Sequence, residues 1–193
     1  MQLLREDGVT KEEILTVLAA VPMPPEAVAA LKAAHECGAT IIICSDANAV
    51  FIAEILKAHG LSSIVSRVIT NPAAWSDDGT LVVTRLHPPT NPHGCKRCIK
   101  TPNMCKGKIV GELIAEHNPS VVLYAGDGGN DFCAACALRR CDYILPRGGY
   151  TLETKLAEAT ATGEPLVPAT PRVWSNYAEF EKEVTGLAMQ YKL

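Results

Sequence analysis

Three polar clusters carry residue types that could do chemistry together: Ser45-Asp46-Ala47-Asn48, Lys106, and the run from Asp127 to Asp131 inside YAGDGGND. A hydroxyl with turn amides, an ammonium, and a carboxylate pair with room for a hard cation are the parts that grip a phosphoryl group and offset its charge. Each also has a plainer reading. Ser45 or Asp46 could cap a helix, Lys106 could be a solvated lysine, and Asp131 could be the N-cap after a tight glycine turn.

A second constellation lies in HPPTNPHGCKRCIKTPNMC, where His93, Cys95, Cys98 and Cys105 offer enough nitrogen and sulfur for a tetrahedral zinc site. The alternative is reduced thiols packed beneath a polar loop, and a single Cys-x-x-Cys favours that alternative. Cys133 and Cys136 fall at helical spacing and are expected in the core. Trp75 and Trp174 are expected to anchor packing or turns.

The elements that must position these residues follow from punctuation and periodicity. Pro24-Pro25 open a helix with Val28, Leu31, Ala34 and His35 on one face and Gly38 beyond its end. TIIIC, 40–44, reads as a buried strand, and 45–48 as a polar turn before a helix over 49–59 that Gly60 stops. Residues 64–70 and 81–86 flank the turn chemistry of NPAAWSDDG and predict an antiparallel hairpin-like insertion. Further on, the pattern predicts a helix over 106–117, a buried strand over 121–125, a short strand over 143–145, and helices over 151–159 and 176–187. Strands alternating with helices predict an α/β fold with a parallel sheet covered on both faces. The polar clusters then fall at carboxyl-end crevices, where such sheets bind ligands.

With 193 residues, 48% of them hydrophobic, the chain can fill one core. Its net charge of −3, from 18 basic and 21 acidic residues mixed along the sequence, supplies neither a basic stripe for nucleic acid nor a polybasic membrane patch. No apolar run approaches a membrane span, and MQLLREDGVTKEE has no apolar signal region, so a cytoplasmic protein acting on a small molecule is expected. Eight cysteines in such a chain are expected to be reduced or metal-bound. Oligomeric state is left open.

The order of the clusters resembles the second, third and fourth motifs of the haloacid dehalogenase superfamily of Mg²⁺-dependent phosphatases. CSDAN, TNP, HGCKRC…NMCK, GDGGNDFC and PRGGY together resemble the phosphoethanolamine/phosphocholine and pyridoxal phosphate phosphatases, to which plant phosphate-starvation phosphatases are also similar. The resemblance implies a phosphomonoester hydrolase acting on small phosphorylated metabolites, with pyrophosphate as a further candidate. It implies that Ser45 hydrogen-bonds the transferring phosphoryl group, Lys106 neutralises it, Asn130 points its amide at it, Asp127 ligates Mg²⁺ and Asp131 holds a metal-bound water. Asp46 and Asn48 join the substrate-binding set. An anion at 46 suits a substrate with an ammonium near its phosphate.

The family's first motif, Asp-x-Asp-x-Thr, is nowhere in the 193 residues; the nearest match, Ser76 to Thr80, falls in the predicted hairpin turn. The fold implied is therefore a Rossmann-like three-layer sandwich of the haloacid dehalogenase type, missing its central first strand and most of the cap. Residues 1–23 would be a remnant of the helical cap, and 24–193 the core, with the hairpin and Cys-rich loop at about 64–105. The strands ending at Ser45 and Ala125 would face each other unpaired, and the chain by itself would be inactive. A catalytically dead remnant and a zinc-binding interaction module are the alternatives.

Overall fold

The computed structural model describes residues 7–98, 103–161 and 167–192. Thr10 and Glu13 form a capping box, the Glu13 amide donating to Thr10 Oγ1 at 3.2 Å and the Thr10 amide to the Glu13 carboxylate at 2.8 Å. They open α1 (Lys11–Ala19), which lies in the stretch expected as a remnant of the helical cap. Proline at its first turn starts α2 (Pro25–Glu36), and Gly38, at φ +89°, supplies the left-handed residue beyond it. β1 (Ile41–Asn48) follows, then α3 (Ala49–Ala58), which ends into Gly60 at φ +66°. The polar turn expected at 45–48 is instead the strand's own end, reached through a register break between Cys44 and Asn48.

β2 (Val65–Asn71) pairs with β1 in parallel, with Ile42 opposite Arg67 and Cys44 opposite Ile69. This corrects the expectation that residues 64–70 form one arm of a hairpin. The hairpin is smaller: β3 (Ala73–Trp75) and β4 (Leu81–Val83) pair antiparallel. Its turn is closed by Ser76 N–H on the Thr80 carbonyl at 3.0 Å, and Asp78 Oδ1 accepts from both Ser76 Oγ and the Thr80 amide. Ser76 to Thr80 is thus turn structure, as expected.

The remaining elements are α4 (Lys106–His117), β5 (Leu123–Gly126), α5 (Asp131–Ala135), β6 (Tyr143–Pro146), α6 (Thr151–Ala161), β7 (Thr170–Pro171) and α7 (Tyr177–Gln190). They build a second parallel sheet, β5-β6-β7. The α/β class agrees with the sequence reading. Among the described residues β1 and β5 do not pair, so each is the edge of its own sheet.

Edge position explains why two strands expected to be buried are not. In β1 only Ile41 and Asn48 are buried, and β5 has no buried residue and an exposed Ala125. By contrast Ile144 and Leu145 of β6, flanked on both sides, are fully buried.

α2 joins the two halves. Its Ala30 and Ala34 pack with Leu145, Trp174, Val184 and Leu187, while Val28 and Leu31 pack against Ile52, Leu56 and Leu61. Each large side chain so buried contributes roughly 1.5–3 kcal/mol. Trp174 is an anchor, as expected, with its indole N–H on the Leu145 carbonyl at 3.0 Å. α1 packs on α3, and His59 Nε2 lies 2.9 Å from the Val21 carbonyl oxygen. Residues 1–6 of the expected cap remnant lie outside the described residues. No helix among them is long and apolar enough to cross a membrane.

Candidate functional site

The carboxyl end of β1 is stapled from below. Asn71 Nδ2 donates to the carbonyls of Asp46 and Ala47, both at 2.8 Å, and its Oδ1 accepts from the Leu86 amide. Ser45, half-buried, accepts the Ala47 amide on Oγ at 3.2 Å. Asn48 caps α3, its Oδ1 taking the Phe51 amide at 3.0 Å while the residue is buried. Its acceptor is committed to the helix terminus, while its Nδ2 donors are not used by that bond.

Asp46 is exposed, and its carboxylate accepts from the amides of Asn103, at 3.2 Å, and Asn130. Asn130 therefore directs an amide hydrogen to Asp46, where the resemblance aimed it at phosphate. These bonds bring the ends of β1 and β5 together although the strands themselves do not pair.

Lys106 opens α4 and places Nζ 2.6 Å from Asp131 Oδ1, with both side chains almost fully buried. Tyr124 Oη donates to the same oxygen at 2.7 Å, and the Asp127 and Gly128 amides donate to Oδ2 at 3.1 and 2.8 Å. Four donors fill the capacity of a carboxylate. Asp131 is thus a buried clamp between lysine, tyrosine and turn. Burial, then the charge and hydrogen bond of Asp131, push the Tyr124 phenol far up, so Tyr124 stays a donor. A Cβ on Gly126 would lie 2.6 Å from Asp131 Cγ, so the clamp needs glycine there.

Asp127 is exposed, and its carboxylate makes no hydrogen bond among the described residues. Beside it an open cleft of about 640 Å³ is lined by Asp46, Asn71, Arg85, Asn103, Gly129 and Asn130. Lys155 Nζ reaches the Gly129 carbonyl at 3.2 Å. Among the described residues the cleft's own lining carries one carboxylate, Asp46, and one cation, Arg85, and the Lys106 charge is paired with Asp131, so a phosphate dianion there would need further positive charge. A hard divalent cation would supply it, and the exposed oxygens of Asp127 fit such an ion as one direct ligand.

Sequence reasoning missed Asn71, Arg85, Asn103 and Tyr124. Tyr124 had a usable signal, standing three residues before Asp127 on the strand that carries it. The other three come from the end of β2 and from the loops after the hairpin and before α4, whose placement no periodicity encodes.

The thiols also regroup. Cys95, Cys98 and Cys105 gather with Cys133, all four sulfurs within 4.8 Å of one another. His93 is not in the group: its Nδ1 accepts the Cys95 amide at 3.1 Å and its ring meets His87 edge-on. Cys133 is buried, as expected, but against sulfur; Cys136 is only half-buried.

Comparison with known proteins places this geometry in a family. A family model described as "Putative Phosphatase" matches residues 1–188. The chain belongs to this phosphatase family. Among its relatives, Inorganic pyrophosphatase 2 of Arabidopsis thaliana is 36% identical over 187 residues, covering 94% of this chain and 65% of the relative. Pyridoxal phosphate phosphatase PHOSPHO2 of Homo sapiens is 34% identical over 184 residues, covering 90% and 72%. Thiamine phosphate phosphatase-like protein of Arabidopsis thaliana is 33% identical, covering 94% and 74%. The chain therefore spans about two thirds of the length of the pyrophosphatase relative. No solved structure matches it.

Proposed function

We propose that this crevice binds the phosphoryl group of a small phosphate ester as part of a Mg²⁺-dependent phosphomonoester hydrolase. The observation that carries this reading is the buried Lys106–Asp131 pair, 2.6 Å apart, whose carboxylate also ties down the turn bearing the exposed Asp127. Lys106 keeps two ammonium hydrogens for a phosphoryl oxygen, and Ser45 Oγ can donate its own hydrogen while accepting the Ala47 amide. Asp127 would hold the metal, which when bound offsets phosphate charge and orients the ester. No Asp-x-Asp-x-Thr segment is present in the 193 residues. Turnover by this chain is therefore expected to stay at background, and binding is the readout.

The names of the relatives support a phosphorylated metabolite as ligand, and Asp46 narrows the choice. It is an exposed anion at the cleft, held by two amides that do not neutralise it, and it suits an ammonium a few ångströms from a phosphate. Phosphoethanolamine and phosphocholine have that form. Calorimetric titration tests it: Asp46→Asn should weaken phosphoethanolamine about tenfold while leaving p-nitrophenyl phosphate within about twofold. Equal losses for both ligands would remove Asp46 from headgroup selection.

A further inference from the structure

We infer that Cys95, Cys98, Cys105 and Cys133 form a tetrahedral thiolate site for one structural zinc ion. Four Zn–S bonds of about 2.3 Å set sulfur atoms roughly 3.8 Å apart, and the four sulfurs here already lie within 4.8 Å of one another. Cys98, Cys105 and Cys133 are buried and Cys95 is half-buried, which leaves no open coordination position of the catalytic kind. The composition of the cluster is the second argument. Among the described residues it consists of these four cysteines alone, with no aliphatic or aromatic side chain packed among them. Thiols acting as small hydrophobes would interdigitate with larger apolar groups; thiols converging only on each other surround a point.

Surrounding geometry agrees. The backbone amides of Arg97 and Cys98 are directed at the Cys95 sulfur, the kind of outer hydrogen bonding that orients a thiolate ligand. The ligands also come from three places in the fold: the Cys-x-x-Cys turn of a loop without regular structure, the residue that caps α4, and α5. A Cβ on Gly107 would come within 2.3 Å of the Cys133 carbonyl oxygen, so α4 and α5 meet here backbone to backbone.

Cys105 directly precedes Lys106, and Cys133 stands two residues after Asp131. A metal tying the two cysteines therefore also fixes the spacing of the lysine and its carboxylate, besides pinning the loop that supplies Asn103 to Asp46. The inference does not depend on phosphate binding, since its ligands and its readout are separate.

The test is metal analysis of the full 193-residue chain purified under reducing conditions without chelator. About one zinc per chain is expected, falling below about a tenth in Cys98→Ser and Cys133→Ser and unchanged in Cys136→Ser and His93→Ala. Because the first two variants could misfold, the unaltered chain is also stripped with chelator and titrated with Co²⁺. Uptake of one equivalent with thiolate charge-transfer and tetrahedral ligand-field bands supports the site. Absence of zinc together with failure to bind Co²⁺, a disulfide among these cysteines in the reduced preparation, or loss of metal in His93→Ala would each overturn it.

Discussion

Asp131 and Asp127 stand four residues apart with the same functional group, yet their surroundings give them opposite tasks. Asp131 is enclosed by four donors, one of them the Lys106 ammonium; Asp127 faces solvent. Asp131→Asn leaves a buried lysine without its counter-charge and should cost about 3–5 kcal/mol of stability. Tyr124→Phe removes one hydrogen bond from the same oxygen and should cost about 1 kcal/mol. Urea unfolding of the two variants checks this ranking, and equal small losses would mean that Asp131 is not the clamp. Residue types and spacing in the sequence were enough to single out Lys106, Asp127 and Asp131. The division of labour was not legible, because i and i+4 spacing says that two carboxylates are near without saying which one the fold encloses.

At the scale of elements, helices were the most legible part, since their signals are local: Pro25 at the start of α2, Gly38 and Gly60 beyond two helix ends, and Asn176 capping α7. β2 was misassigned because strand pairing is not local. Its run of Val65 to Asn71 suits a strand, but nothing in it says that the partner is β1 across a helix rather than the next run along the chain.

One corner between elements also carries a pH dependence. Asp142 is fully buried, paired with Arg139 at 2.8 Å, and accepts the Val122 amide that leads into β5. Burial raises its pKa, but the Arg139 side chain and the amides of Arg139 and Val122 outweigh that and hold the carboxyl below its ordinary value of 3.8. The folded value lies below the unfolded one. This contribution to stability is therefore complete above about pH 4 and is lost as pH falls through the folded value. Asp142→Asn should lower stability by about 3 kcal/mol at pH 6. It should also flatten the decline below pH 4, as measured by urea midpoints across pH 3 to 6. Parallel acid declines in both proteins would place the titrating group elsewhere.

For the whole molecule, two short parallel sheets are joined by α2 and by polar bonds across the crevice, not by a continuous ladder. The α/β class was legible from alternating strands and helices; the separation of β1 from β5 followed only from the family resemblance and the absent first motif. The thiol cluster was half legible: three ligands came from the loop, and the fourth stood in a helix that helical spacing had assigned to the core. Everything proposed for phosphate binding depends on the crevice between the sheets holding its shape with Asp127 free to take a cation. The most direct measurement is a calorimetric titration of phosphoethanolamine into the 193-residue chain with and without Mg²⁺, repeated on Asp127→Asn, with circular dichroism to confirm folding. Saturable one-to-one binding that requires Mg²⁺ and falls at least about tenfold in a folded Asp127→Asn variant is the predicted result. Absence of binding to the unaltered chain, or binding that Mg²⁺ and Asp127→Asn leave unchanged, would contradict the account.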